Sequence, residues 1–297
     1  MDYRVQFDFE IEFTNGGGIA GRGFRLDIIG DEVTDQELTD YIVQDMRLLM
    51  VGKVEILNKM IIQEKHKRQK PINKYSEVDN FIDLSHTIED GLITYKGLPA
   101  PIICDYLSRD DSREFYEKGT EFQIDKIELV GNTGTYIDSP FHRYANGKEL
   151  SEMHINQFVD LDGIVIRIDC EKTQAIHADY FRNREIRGRA VLVHTGWDKY
   201  WKTDRYFEYH PYLTQDAAEY LVECGVALVG IDSMNIDDTK GKARPVHTTL
   251  LGNEIPIVEH LCNLEKLPDE GFTFTAAPPK IKDVGTFPVR AMAKLNL

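Results

Sequence analysis

Residues 3–13 alternate without a break. Tyr3, Val5, Phe7, Phe9, Ile11 and Phe13 fall on one face, and Arg4, Gln6, Asp8, Glu10 and Glu12 on the other. A period of two is the mark of a half-buried β-strand. Asn15-Gly16-Gly17-Gly18 supplies a turn, and Phe24-Arg25-Leu26-Asp27-Ile28 reads as the returning strand. The glycine-rich turn joins strand to strand rather than strand to helix, so it predicts a hairpin and not a phosphate loop. Thr34 and Glu37 have capping-box spacing, and Leu38, Tyr41, Ile42, Asp45, Leu48 and Leu49 follow at helical intervals. That predicts a helix over about 35–50. Val54, Ile56, Ile61 and Ile62 predict one or two further strands. Residues 1–65 therefore read as a small β-β-α-β domain.

Residues 66–79 are polar and include Pro71, which predicts a linker. The run Lys65-His66-Lys67-Arg68-Gln69-Lys70 is the one basic cluster and suits a solvated segment. From about residue 80 the texture changes. The runs Gly163–Ile168, Ala190–Val193 and Val226–Ile231 are nearly all apolar, as in strands buried on both faces. A helix with an N-terminal Thr214 cap is predicted to Cys224. Residues 80–297 thus read as an α/β domain with a largely buried sheet.

With 297 residues, 42% hydrophobic and 29% charged, the chain can bury its own core without disulfides or structural metal. The net charge of −15 argues against nucleic acid or anionic membrane as the main partner. No stretch of 18 apolar residues can span a bilayer, and the first residues lack a signal-peptide pattern, so a cytoplasmic protein is expected. Cys104, Cys170, Cys224 and Cys262 lie far apart and form no C-x-x-C pair, which fits buried thiols in a reducing compartment.

The chemistry concentrates in two segments. In residues 131–142, Asn132, Gly134, Tyr136 and Asp138 would share one face of a strand. Pro140 would end that strand and leave His142 on the following loop. In residues 247–259, His247 precedes a short helical turn and Glu259 follows an apolar run, where a carboxylate needs a partner or a metal. Each segment also has an ordinary reading, as a surface turn and as an exposed strand end.

Residues 132–142, N-T-G-T-Y-I-D-S-P-F-H, follow the pattern H-x-G-T-H-x-D-x-P-x-H. Asp83–Ile88, His194–Asp198, Gly230–Ser233 and Phe287–Arg290 match further stretches. Over about residues 80–297 the chain resembles the cyclase family, which includes bacterial kynurenine formamidases, isatin hydrolases and trans-dienelactone hydrolases. The resemblance implies the family's swivelling β/β/α fold and a hydrolase of cyclic or aryl amides or lactones. It also implies Asp138, His247 and Glu259 as metal ligands, His142 as the acid/base, and Trp197 and Asp232 as substrate contacts. Asn132 and Tyr136 stand where the signature has two ligating histidines, so they are read as catalytic hydrogen-bond donors facing the substrate.

Three functions follow. One divalent ion, zinc or manganese, could serve a hydrolase with three protein ligands. A metal-free cyclase, isomerase or lyase could use Tyr136, Asp138 and His142 for proton transfer. A non-catalytic binding protein could use the same scaffold. The expected partners are a small-molecule substrate and further copies of the chain, as a dimer or tetramer.

Overall fold

The computed structural model describes residues 2–28, 30–46, 48, 50–64 and 80–296. The segment read as a linker, 66–79, and the whole of the basic run 65–70 lie outside the described residues. The chain divides into two compact units, Met1–Val78 and Asp79–Leu297.

The first unit contains β1 (Asp2–Phe13), β2 (Gly18–Ile28), α1 (Asp35–Asp45) and β3 (Val51–Glu64). Its antiparallel sheet has the order β2-β1-β3. The alternation of β1 has a direct use: Val5, Phe7, Phe9 and Ile11 are buried against Leu38 and Ile42 of α1. The capping box forms, with Glu37 N–H donating to Thr34 Oγ1 and Thr34 N–H to Glu37 Oε2. The helix stops at Asp45, short of the expected residue 50. Met50 adopts a left-handed φ of 58°, which turns the chain into β3. The two candidate strands around Val54 and Ile61 are one strand, kinked where Asn58 takes a φ of 53° at a register shift.

The second unit opens with β4 (Phe81–Asp83), β5 (Ile102–Leu107), α2 (Arg109–Ser112), β6 (Ile124–Glu128), β7 (Tyr136–Asp138) and α3 (Pro140–Arg143). There follow β8 (Leu161–Arg167), β9 (Ala175–Ile176), β10 (Ala190–His194), β11 (Tyr212–Leu213), α4 (Gln215–Cys224) and β12 (Leu228–Ile231). The last elements are α5 (Pro245–Gly252), β13 (Ile257–Glu259), β14 (Phe272–Thr275), β15 (Thr286–Pro288) and β16 (Met292–Leu295). Nine strands form one sheet in the order β15-β7-β13-β12-β10-β8-β14-β16-β4. Its centre, β8, β10, β12 and β13, is parallel, and its flanks are antiparallel.

The central strands bury both faces, as their apolar runs predict. Ile164, Ile166, Val191, Val193, Val229 and Ile231 pack on one side with Ala217 and Leu221 of α4 and Val246 and Leu250 of α5. Val165, Leu192, Leu228 and Val258 pack on the other with Phe272 and Phe274. Among the described residues no helix is long and apolar enough to cross a membrane.

Several local expectations are corrected. The strand before the first chemical segment is only Tyr136–Asp138, because Gly134 takes a φ of 66° and breaks the alternation that would have aligned Asn132 with it. Pro140 does not leave His142 on a loop. It occupies the first turn of α3, where its missing N–H costs nothing, and His142 lies on that helix. His247 likewise sits within α5, not before it. Thr214 occupies the N-cap of α4, but its hydroxyl donates to Ile176 O instead of capping the helix.

Candidate active site

Strand register brings the two chemical segments together. In the β7–β13 ladder Tyr136 lies opposite Glu259, and in the β7–β15 ladder Asp138 lies opposite Thr286. Directly opposed side chains on one face are close enough to bond. Tyr136 Oη donates to Glu259 Oε2 at 2.5 Å, and Thr286 Oγ1 donates to Asp138 Oδ1. All four residues are buried.

Thr286 has one hydroxyl proton. Given to Asp138, it leaves the Thr286 oxygen to accept from His142 Nδ1, 2.7 Å away. Neutral His142 therefore carries its proton on Nδ1 and has an unprotonated Nε2. Its side chain is 34% exposed, so it can exchange protons with water. Gly285 makes this placement possible: a Cβ there would meet His142 N at 2.5 Å, so any larger residue would push α3 away.

Asp237 fixes the second imidazole. Its carboxylate accepts the backbone N–H groups of Val246 and His247 at 2.8 and 3.0 Å, capping the start of α5. It also lies 2.6 Å from His247 Nδ1, which directs His247 Nε2 towards Asp138 Oδ2 at 3.6 Å and Glu259 Oε1 at 3.8 Å. Burial disfavours a charged His247 ring, but contacts with Asp138 and Asp237 and the charge of Glu259 outweigh it and raise its pKa to about 10. Burial raises the Glu259 carboxyl to about 7, with the His247 charge opposing the shift and Asp138 adding to it. Glu259 Oε1 also accepts from Ile236 N–H at 2.6 Å. Burial and the neighbouring carboxylates hold the Tyr136 phenol well above its ordinary value, so it stays a neutral donor.

These groups form the floor of a cavity of about 630 Å³ lined by Asn132, Tyr136, His142, His247 and Glu259 among others. Asp138 lies just behind that lining, with Oδ2 buried and without a hydrogen-bond partner. A bare buried carboxylate oxygen is costly unless a cation meets it. Asp138, His142 and His247 each offer a ligand atom, all within 4.8 Å of one another. Two imidazoles and a carboxylate suit a transition-metal dication, so the donors present fit a metal ion.

A family model described as putative cyclase matches residues 82–238, more than half of the chain. The chain belongs to the cyclase family. A kynurenine formamidase of Bacillus thuringiensis subsp. konkukian (strain 97-27) is 27% identical over 219 residues, covering 73% of this chain and 99% of that protein. One from Bacillus cereus (strain ATCC 14579) is 26% identical over the same length. Isatin hydrolase A from Labrenzia aggregata, solved with benzyl benzoate, superposes with a TM-score of 0.62 at 21% identity. That match covers 73% of this chain and 94% of that one. These cyclase-family matches account for the α/β fold of the second unit.

The cavity does not reach every residue expected at the site. Trp197 and Asp232 are absent from its lining. Trp197 is buried beside Tyr206 and Met234, with Nε1 donating to Tyr206 O at 3.0 Å. Asp232 is fully buried and accepts from the Thr195 and Gly196 N–H groups and the Thr195 hydroxyl, pinning the turn after β10. Thr286 and Asp237 were not foreseen. Thr286 stands next to the matched Phe287–Arg290 stretch, and only strand register shows its opposition to Asp138.

Proposed function

We propose that this chain is a metal-dependent hydrolase of the amide bond in a small aryl or cyclic amide, with lactones as related substrates. The observation that carries the reading is the bare Asp138 Oδ2, just behind the cavity lining, 3.6 Å from His247 Nε2, which lines it. Asp138 Oδ2, His247 Nε2 and Glu259 Oε1 would hold one zinc or manganese ion, since His247 Nε2 approaches both carboxylates. Such an ion supplies a polarised carbonyl and a water of lowered pKa. His142 is linked to the other Asp138 oxygen through Thr286 and is open to solvent, which suits it to carry the proton to the leaving group. The Asn132 amide lines the cavity as a donor towards developing negative charge, while neutral Tyr136 spends its one proton on Glu259 and holds that carboxylate in place. The names of the formamidase and isatin hydrolase matches support the substrate class.

Elemental analysis together with an aryl formamide assay tests this. We expect about one ion per chain, lost in Glu259→Gln and His247→Ala, and retained in a slow His142→Gln variant. Loss of the ion in His142→Gln would instead move His142 into the ligand set, as its place within the 4.8 Å cluster allows. Turnover by an ion-free parent would transfer the reading to the metal-free alternative.

The same proposal includes assembly in the cytoplasm as a homo-oligomer. The two-stranded β5–β6 ribbon and its connection expose Tyr106, Phe115 and Ile127 at 76%, 73% and 59%. A ribbon of two strands needs cover for such a surface. A monomer in sedimentation would count against it.

A further inference from the structure

The first unit lies wholly before residue 82, where the cyclase match begins, and the hydrolase site gives it no task. Among the described residues β3 pairs only with β1, which leaves the far edge of a 14-residue strand open. The free N–H and C=O groups of such an edge invite another strand, and β3 contains no proline to blunt it.

The register of β3 shows which strand fits. In the β1–β3 ladder Gln6 lies opposite Met60 and Asp8 opposite Leu57, so two steps along β1 match three along β3. The extra residue is taken up in a bulge at Asn58, whose φ is 53°. Side chains of β3 therefore change parity there. Lys53, Glu55 and Leu57 before the bulge share the face away from α1 with Met60 and Ile62 after it. Val54 and Ile56 share the core face with Ile61. Both bulge residues are held within the unit. Asn58 Nδ2 donates to Asp8 Oδ2 at 2.7 Å, and Lys59 Nζ donates to Val33 O at 3.0 Å and pairs with Asp35.

An antiparallel neighbour must keep side chains on matching faces, since a slip of one residue reverses them all. A regular strand would have to skip a residue at the bulge, as β1 does. A strand with the same bulge would not, and a second copy of β3 supplies one. A two-fold axis between Asn58 and Lys59 sets Leu57 opposite Met60, Ile56 opposite Ile61 and Glu55 opposite Ile62, each pair on a common face. Leu57 and Met60 are 39% and 54% exposed, and the axis gathers two copies of each into one apolar patch. Arg4, Gln6, Asp8, Glu10 and Glu12 make the rest of that face polar, which favours growth at the edge over stacking of a further layer. The β2 edge carries no such patch, because its residues on this face include Gly18, Ala20, Arg25 and Asp27.

We propose that the first unit is an assembly module, in which β3 pairs antiparallel with β3 of a second copy of the chain and joins two three-stranded sheets into one. The inference goes beyond the hydrolase reading and is independent of the metal site. It adds an interface distinct from the β5–β6 ribbon.

Cysteine cross-linking in the full chain tests the register. Directly opposed cysteines on neighbouring strands come within disulfide reach, whereas diagonal ones do not. Co-expressed Leu57→Cys and Met60→Cys chains, mildly oxidised, should yield a peptide joining residue 57 to residue 60. Peptide mapping separates it from bonds made by the four native cysteines. Leu57→Cys with Arg22→Cys, on β2, is the control and should yield no such peptide. In a second measurement, Leu57→Lys with Met60→Lys sets like charges opposite each other twice. The concentration midpoint of the step that halves the assembly in sedimentation should then rise at least roughly tenfold. Absence of the 57–60 peptide, a 57–22 peptide in its place, or an unmoved midpoint in the folded lysine variant overturns the proposal. If the lysine variant fails to fold, the cross-link alone decides.

Discussion

Tyr136 donates its phenolic proton to Glu259 directly across the β7–β13 ladder. The cyclase signature has a histidine at this position, and another at Asn132. The phenol occupies one oxygen of the carboxylate, and burial keeps it from ionising. The substitution therefore replaces a ligand with a hydrogen-bond donor while leaving the strand pairing intact.

Restoring both histidines should restore a metal position. Asn132→His with Tyr136→His is expected to bind one more equivalent of zinc or manganese than the parent, measured by elemental analysis after identical loading. Gly134, Thr135, Asp138 and Pro140 of the signature remain in place to hold the backbone. The smaller ring at residue 136 should cost about 1 kcal/mol through the gap it leaves. An unchanged ion count in a folded double variant would mean that the surroundings, and not these two side chains, exclude the second ion.

The Asp138–Thr286–His142 chain makes a separable forecast. Thr286→Val keeps the shape but removes both hydrogen bonds. It should lower kcat about 10–100-fold, the usual cost of losing a group that orients a ligand. Loss of the partner of Asp138 Oδ1 should also cost about 1–3 kcal/mol in denaturant unfolding. Thr286→Ser, which keeps the hydroxyl, should recover most of kcat. Equal activity in Val and Ser variants would show that the hydroxyl does not orient His142.

His86 sets part of the acid limit of stability. Its ring stacks on Trp201 with centroids 4.0 Å apart, and Nε2 is buried without a partner. Burial, with a smaller effect of Lys202, lowers its pKa to about 4 from 6.5. Between those values the unfolded chain binds the proton and the folded one does not, so stability rises with pH there. The contribution is complete above pH 6.5 and is lost as pH falls towards 4, an effect of about 3 kcal/mol. His86→Phe keeps the stack and should flatten this limb, as read from urea unfolding at pH 4.5 and 7. An identical pH dependence in the variant would exclude His86 as the source.

The parts legible in the sequence are those fixed by short-range pattern. The alternation from Tyr3 to Phe13, the Thr34–Glu37 box and the double-sided apolar runs of β8, β10 and β12 all require only local periodicity and burial. The errors arose where one backbone angle or a distant partner decides. α1 ends at Asp45 with Met46 as its C-cap although apolar spacing runs on to Leu49, and a left-handed Gly134 detached Asn132 from the strand. The donors that engage Asp232, the Thr195 and Gly196 N–H groups and the Thr195 hydroxyl, lie in a turn that residue spacing does not reveal. The contributions of Thr286 and Asp237 depend on register and on a helix start, which residue spacing does not reveal.

Asp237 gives the site an unusual economy. One carboxylate both starts α5 and holds the His247 ring, so secondary structure and reactivity share an anchor. Whatever loosens the first turn of that helix also frees the imidazole to rotate, and a cation seated on His247 tightens the turn in return. Ion affinity and the local opening of α5 are then linked quantities. Exchange of the Val246 and His247 amide protons thus becomes a gauge of occupancy at a point that the ion itself does not touch.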